Sequence, residues 1–93
     1  MATFIVLCTF KPDTDMAEVF ATAAEEMAAV KVLEAEGRIG TVHLALARGT
    51  VFLEIFADDT AAAEATVTTL PMAKWWNLDV FPIAMPTMPA GAA

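Results

Sequence analysis

Residues Thr41 to Phe56 read TVHLALARGTVFLEIF, two apolar runs joined by Arg48-Gly49, with the chain's one histidine, His43, in the first run and Glu54 in the second. Glycine can take the positive φ that tight hairpin turns require, so Arg48-Gly49 predicts a two-residue connection between antiparallel strands. That register pairs Ala47 with Thr50, Ala45 with Phe52, His43 with Glu54 and Thr41 with Phe56. His43 and Glu54 would then stand opposite each other on one face of a sheet, close enough for a charge-assisted hydrogen bond. The same face carries Thr41, Phe52 and Phe56.

The flanking segments extend the pattern in both directions. Thr3 to Phe10, TFIVLCTF, is β-branched and aromatic and reads as a largely buried strand. KPDTD breaks it. Asp15 with Glu18 three residues on marks a helix start, and apolar Met16, Val19, Phe20, Ala23, Met27, Val30 and Leu33 recur at helical spacing as far as Gly37. After the hairpin, ADDTAAAEATVTTLP predicts an alanine-rich helix capped by Asp58 or Asp59 and stopped by Pro71. MAKWW is a bulky link, and NLDVFPI is a last strand shortened by Pro82. The order β-α-β-β-α-β is that of the ferredoxin-like split βαβ unit, an α+β fold with a four-stranded antiparallel sheet carrying both helices on one face. Residues 1–84 form this domain. Residues 85–93, rich in Pro, Ala and Met, read as a tail that is either an extended arm on a neighbour or disordered.

Composition bears on what covers the other face. Ninety-three residues make one domain, which buries only about 60 to 65% of its unfolded surface. Yet 58% of the residues are hydrophobic and 18% charged, more apolar than an ordinary soluble domain. The excess predicts a subunit interface, most simply with a second copy, or a ligand cavity. The net charge of −7, from twelve acidic and five basic residues, argues against nucleic acid and against an anionic membrane surface. Cys8 is the only cysteine, so no intrachain disulfide can form, in keeping with a reducing cytoplasm. The start has no basic region ahead of a long apolar run, and nothing approaches the roughly 20 apolar residues of a membrane span.

The element order, the EEMAAVKVLEAEG helix end and above all the TLPMAKWWNLDV segment resemble muconolactone isomerases and their relatives. In that family a Leu-Pro pair closes the second helix, aromatics follow and an acidic-hydrophobic strand ends the domain. The likeness runs from about Asp13 to Val80, with Glu36-Gly37 and Leu70-Pro71 as its landmarks. It implies a dimeric α/β barrel, two sheets face to face, with a small-molecule pocket between each sheet and its own helices or the partner's residues. It also implies a cofactor-free isomerase that moves a proton between carbons of an unsaturated lactone. Glu25 and Glu26 lie where the family has an acidic pair on the first helix. His43 and Glu54 stand where muconolactone isomerases proper carry an aromatic and an aliphatic residue, and the first strand is less basic and polar, which points away from the same substrate.

The residues themselves allow two readings at each position. His43 could remove and return a proton, with Glu54 fixing its tautomer, or the two could be a polar pair bridging two sheets. Trp75 and Trp76, with Phe52 and Phe56, could bind a flat or cyclic substrate, or pack in core and interface. Glu26 could reach the pocket rim, or belong to a solvated helix face. Arg38 and Arg48 could bind a carboxylate, and Cys8 reads as an inert buried thiol. No Cys/His cluster, glycine-rich phosphate loop or G-x-S-x-G is present, so the sequence predicts no cofactor. The expected activity is a cofactor-independent isomerase or cyclase acting on a small lactone or polyketide-like carbonyl compound. The alternatives are a cofactor-free monooxygenase of the antibiotic-biosynthesis type and a non-catalytic small-molecule-binding oligomer.

Overall fold

The computed structural model describes residues 1–84; the tail expected over residues 85–93 lies outside them. Strand β1 spans Ala2–Phe10, helix α1 Met16–Ala35, β2 Ile39–Ala45, β3 Thr50–Ala57, α2 Thr60–Thr68 and β4 Trp76–Ile83. All strand pairs are antiparallel, in the order β2-β3-β1-β4. The connectivity and order are those expected of the ferredoxin-like arrangement. No helix among the described residues is long and apolar enough to cross a membrane.

Each helix starts where an aspartate can accept from a free backbone N–H. Asp15 accepts from Ala17 at 3.0 Å, and Asp59, rather than Asp58, accepts from Ala62 at 2.7 Å. The end of α1 uses Gly37, whose φ of 71° is in the left-handed region. There the N–H of Arg38 returns to the Leu33 carbonyl at 2.9 Å, closing the last turn. Pro71 starts a 3-10 turn over Pro71–Trp75, because its missing N–H is no loss at a first helical position. The expected bulky link is therefore a turn of helix, and Trp76 already belongs to β4. Pro82 does not shorten that strand, because β4 lies at the sheet edge and Pro82 faces only Phe4 of β1.

Alternation along the strands divides the sheet into two faces. Phe4, Val6 and Cys8 of β1, and Val51, Leu53, Ile55 and Ala57 of β3, are buried against Leu33 of α1 and Ala63 and Val67 of α2. The opposite face is uncovered. It carries Ile5 and Leu7 of β1 beside Glu54 and Phe52 of β3, and Ile5 also pairs with Phe81 of β4.

The β2–β3 hairpin differs from the expected register. Ala45, not Ala47, pairs with Thr50, and His43 pairs with Phe52 rather than Glu54. The connection is longer than two residues: Leu46–Arg48 form a 3-10 turn, and Gly49 at φ 58° returns the chain to β3. The slip is by two residues, so Val42 to Ala45 keep their expected faces while changing partners, whereas Ile39, before the bulge, pairs with Ile55 on the helix-facing side. A bulge between Ile39 and Val42 adds a further irregularity near the start of β2.

Candidate functional site

Helix α1 does not lie flush on the sheet. Val19 and Leu33, near its two ends, are buried, whereas Met27 between them is exposed. The middle of the helix stands over a cavity of about 390 Å³. Its helix wall includes Ala23, Glu26, Met27 and Val30, and its sheet wall includes Val42, Leu44, Val51 and Leu53. Met72, from the turn after Pro71, and Trp76, at the start of β4, also line it. Lys31 and Glu34 complete the lining from exposed positions on α1.

In this half-open, largely apolar recess Glu26 is the partly buried carboxylate. Its Oε1 accepts a hydrogen bond from the Met72 backbone N–H at 3.0 Å. Loss of hydration raises the Glu26 pKa above its ordinary value, and the Met72 hydrogen bond opposes that rise without cancelling it. Among the described residues Oε2 takes part in no hydrogen bond to the protein, which leaves one oxygen of a fixed carboxyl group for other work. Cys8, fully buried on β1, has its thiol pushed up to about 12, first by burial and then by the negative charge of Glu26. That keeps it protonated and inert.

Trp76 is 5% exposed and packs edge-on against Phe10, ring centroids 6.1 Å apart. Its indole Nε1 is the one buried side-chain nitrogen or oxygen among the described residues with no hydrogen-bond partner. Trp75 points elsewhere. Lys74 Nζ lies 4.5 Å from its ring centroid, and it borders a shallow surface recess with Lys11 and Asn77.

Trp75 aside, the residues expected from the sequence thus fall into two groups. Glu26 and Trp76 meet at the cavity. Thr41, His43, Phe52, Glu54 and Phe56 do not line it; they belong to the uncovered side of the hairpin. There His43 is exposed, and no hydrogen bond among the described residues joins it to Glu54. Instead Glu54 Oε1 accepts from the Thr41 backbone N–H at 3.0 Å and contacts the Thr41 hydroxyl at 3.4 Å. A carboxylate tied to a bulged backbone N–H is a structural clasp for that bulge. Arg38 is also structural, bonding Thr66 Oγ1 at 3.0 Å and Glu36 at 3.3 Å.

Met72 is the contributor that the sequence did not signal. It reaches Glu26 through its backbone across 46 positions of chain, and backbone groups carry no residue signature. No group of three His, Cys, Asp or Glu side chains among the described residues is placed to hold a metal ion. Compared with known proteins, the chain matches no family model and no curated sequence.

Proposed function

We propose that the protein is a cofactor-independent isomerase or cyclase that moves a proton within a small lactone or polyketide-like carbonyl compound, with Glu26 as the base. The observation that carries this reading is the Glu26 carboxyl group, half-buried in an apolar cavity with its pKa raised by burial. Proton transfer is most efficient when the base has a pKa near the working pH, and desolvation moves a carboxylate in that direction. Glu26 would take a proton from the carbon next to the carbonyl. The same carboxylic acid would return it at another carbon of the resulting enolate. Met72 N–H fixes the carboxyl orientation, and the walls of Val30, Val51 and Leu53 keep water from quenching the enolate. The sequence likeness to muconolactone isomerases supports the same class of reaction.

In this reading two copies pack through their uncovered sheet faces into a dimeric α/β barrel. Support comes from the apolar side chains left on that face, among them Phe81 and Ile83 at 43% and 44% exposure, a patch of the kind that drives association. The cavity beneath α1 lies on the other side of the sheet, so each copy would carry its own.

The test is proton exchange and isomerisation of a β,γ-unsaturated butenolide in D₂O, followed by NMR. Glu26→Gln should lower the rate by about 10²- to 10⁴-fold, the usual contribution of a positioned base. His43→Ala should leave it within about twofold, the reverse of what a His43 base requires. Wild-type turnover by Glu26→Gln would refute the assignment, and oxygen consumption during turnover would replace it with the monooxygenase alternative.

A further inference from the structure

We infer that the indole N–H of Trp76 is the donor that holds the carbonyl oxygen of the ligand, and that this cavity therefore selects uncharged, largely apolar ring compounds bearing a carbonyl group. The inference rests on the cavity proposed above being the ligand site, and it adds a recognition element that the proton transfer does not require. Two independent observations meet at one residue. Trp76 forms part of the cavity wall, and its Nε1 is buried without a partner in a fold whose other buried side-chain polar atoms, among the described residues, are satisfied. Leaving a buried donor unpaired costs about 1–3 kcal/mol, a penalty that a ligand oxygen would remove. Nε1 is closed over by neighbouring protein atoms, so a ligand oxygen reaches it only when the lining shifts. Met27 and Met72 of the same wall are unbranched, adaptable side chains able to give way as a ligand enters.

The rest of the lining narrows the ligand class. Its inner walls are aliphatic and aromatic, Lys31 and Glu34 stand at exposed rim positions, and the partly buried acid is Glu26, so an anionic group carried to the inner end would meet repulsion there while a neutral one would not. A cavity of about 390 Å³ accommodates a one- or two-ring molecule. Carbonyl oxygen is a strong uncharged acceptor for a lone N–H donor, and it is the group that the proton transfer proposed above already requires in the substrate.

The experiment compares 1-indanone with indane, which has the same two-ring carbon frame without the oxygen, using two-dimensional ¹H–¹⁵N NMR of the wild-type protein. The expected result is a downfield shift of the Trp76 indole proton with 1-indanone and not with indane, while the Trp75 indole signal stays in place. Trp76→Phe should reduce the preference for the ketone by about tenfold, the worth of one neutral hydrogen bond. If that variant fails to fold, the wild-type indole signal decides alone. Binding of 1-indanone that moves the Val30, Val51 or Leu53 methyl signals but leaves the Trp76 N–H unmoved overturns the inference and leaves the Glu26 reading standing. An indole signal that follows the titration of Glu26 and ignores the ligand overturns it too, by showing the carboxylate to be the partner. If neither compound perturbs the cavity, both this inference and the cavity as the ligand site are removed.

Discussion

The two faces of this sheet carry similar apolar side chains and hold their acidic groups in opposite ways. Toward the helices, Val6, Cys8, Leu53 and Ile55 are sealed, and Glu26 sits over them with its carboxyl group partly stripped of water. On the other face, Ile5, Leu7, Phe52 and Phe56 are only half-buried, His43 is exposed, and Glu54 is used to clasp a backbone bulge. Residue type alone would rank the His43-Glu54 pair as the more chemical of the two places. Partial loss of hydration is what sets Glu26 apart, and the proposed function rests on it, because poor hydration of its charge raises the pKa of a carboxyl group toward the range of a useful base.

The contrast is tested most forcefully by cutting each face. Leu53→Ala removes a side chain that is 1% exposed at the centre of the helix-facing core. The expected loss is about 2–5 kcal/mol, measured by urea denaturation, and it should be the same at any protein concentration. Its neighbour Phe52 points the other way. If the open face is a dimer interface, the wild-type thermal midpoint rises with protein concentration, and Phe52→Asp abolishes that dependence by placing a charge in the interface. A midpoint independent of concentration over two decades in the wild type would break the comparison, making the open face a true solvent surface.

This division between faces was legible in the sequence; the details of pairing were not. Period-two alternation in Thr50–Ala57 assigns Val51, Leu53 and Ile55 to one side and Phe52, Glu54 and Phe56 to the other, whatever the register. Helix starts were also readable, because Asp15 and Asp59 announce themselves chemically. The partner of His43 depended instead on turn length, and Arg48-Gly49 looks like a complete two-residue loop. In the structure Gly49 does supply a positive φ, but it closes a longer turn that begins at Leu46. The cavity was illegible for another reason. The stripe of Val19, Ala23, Met27 and Val30 predicts contact with the sheet, and no local pattern reveals that the middle of a helix stands away from it.

Gly40 offers a smaller, sharper cut on the open face. A Cβ at this position would collide with Glu54 Oε1 and lie 3.1 Å from Phe56 Cε2. Gly40→Ala should therefore displace the Glu54 carboxylate from the Thr41 N–H and destabilise the fold by about 1 kcal/mol, the worth of that hydrogen bond. Because the clasp lies across the sheet from Glu26, proton transfer should be unchanged. Loss of turnover in proportion to Glu54 displacement would return the open face to candidacy as the active site.

The smallest expected effect concerns Glu26 itself, and its sign is opposite to that of an ordinary mutation. Glu26 has a folded-state pKa raised above its ordinary value of about 4.5, chiefly by burial. Below the ordinary value the carboxyl group is protonated in both folded and unfolded chains and carries no ionisation penalty. As pH rises through the window between the ordinary and the raised value, the unfolded chain releases its proton first, so the folded state loses relative stability. Above the raised value that loss is complete and constant. Glu26→Gln keeps a carbonyl oxygen to accept from Met72 N–H and removes the charge, so it should be more stable relative to wild type at pH 7.5 than at pH 4. Thermal midpoints of the two proteins across that range provide the measurement. A difference that stays constant with pH would mean that Glu26 is as well hydrated as an acid on the open face, and the distinction between the two faces would lose its chemical content.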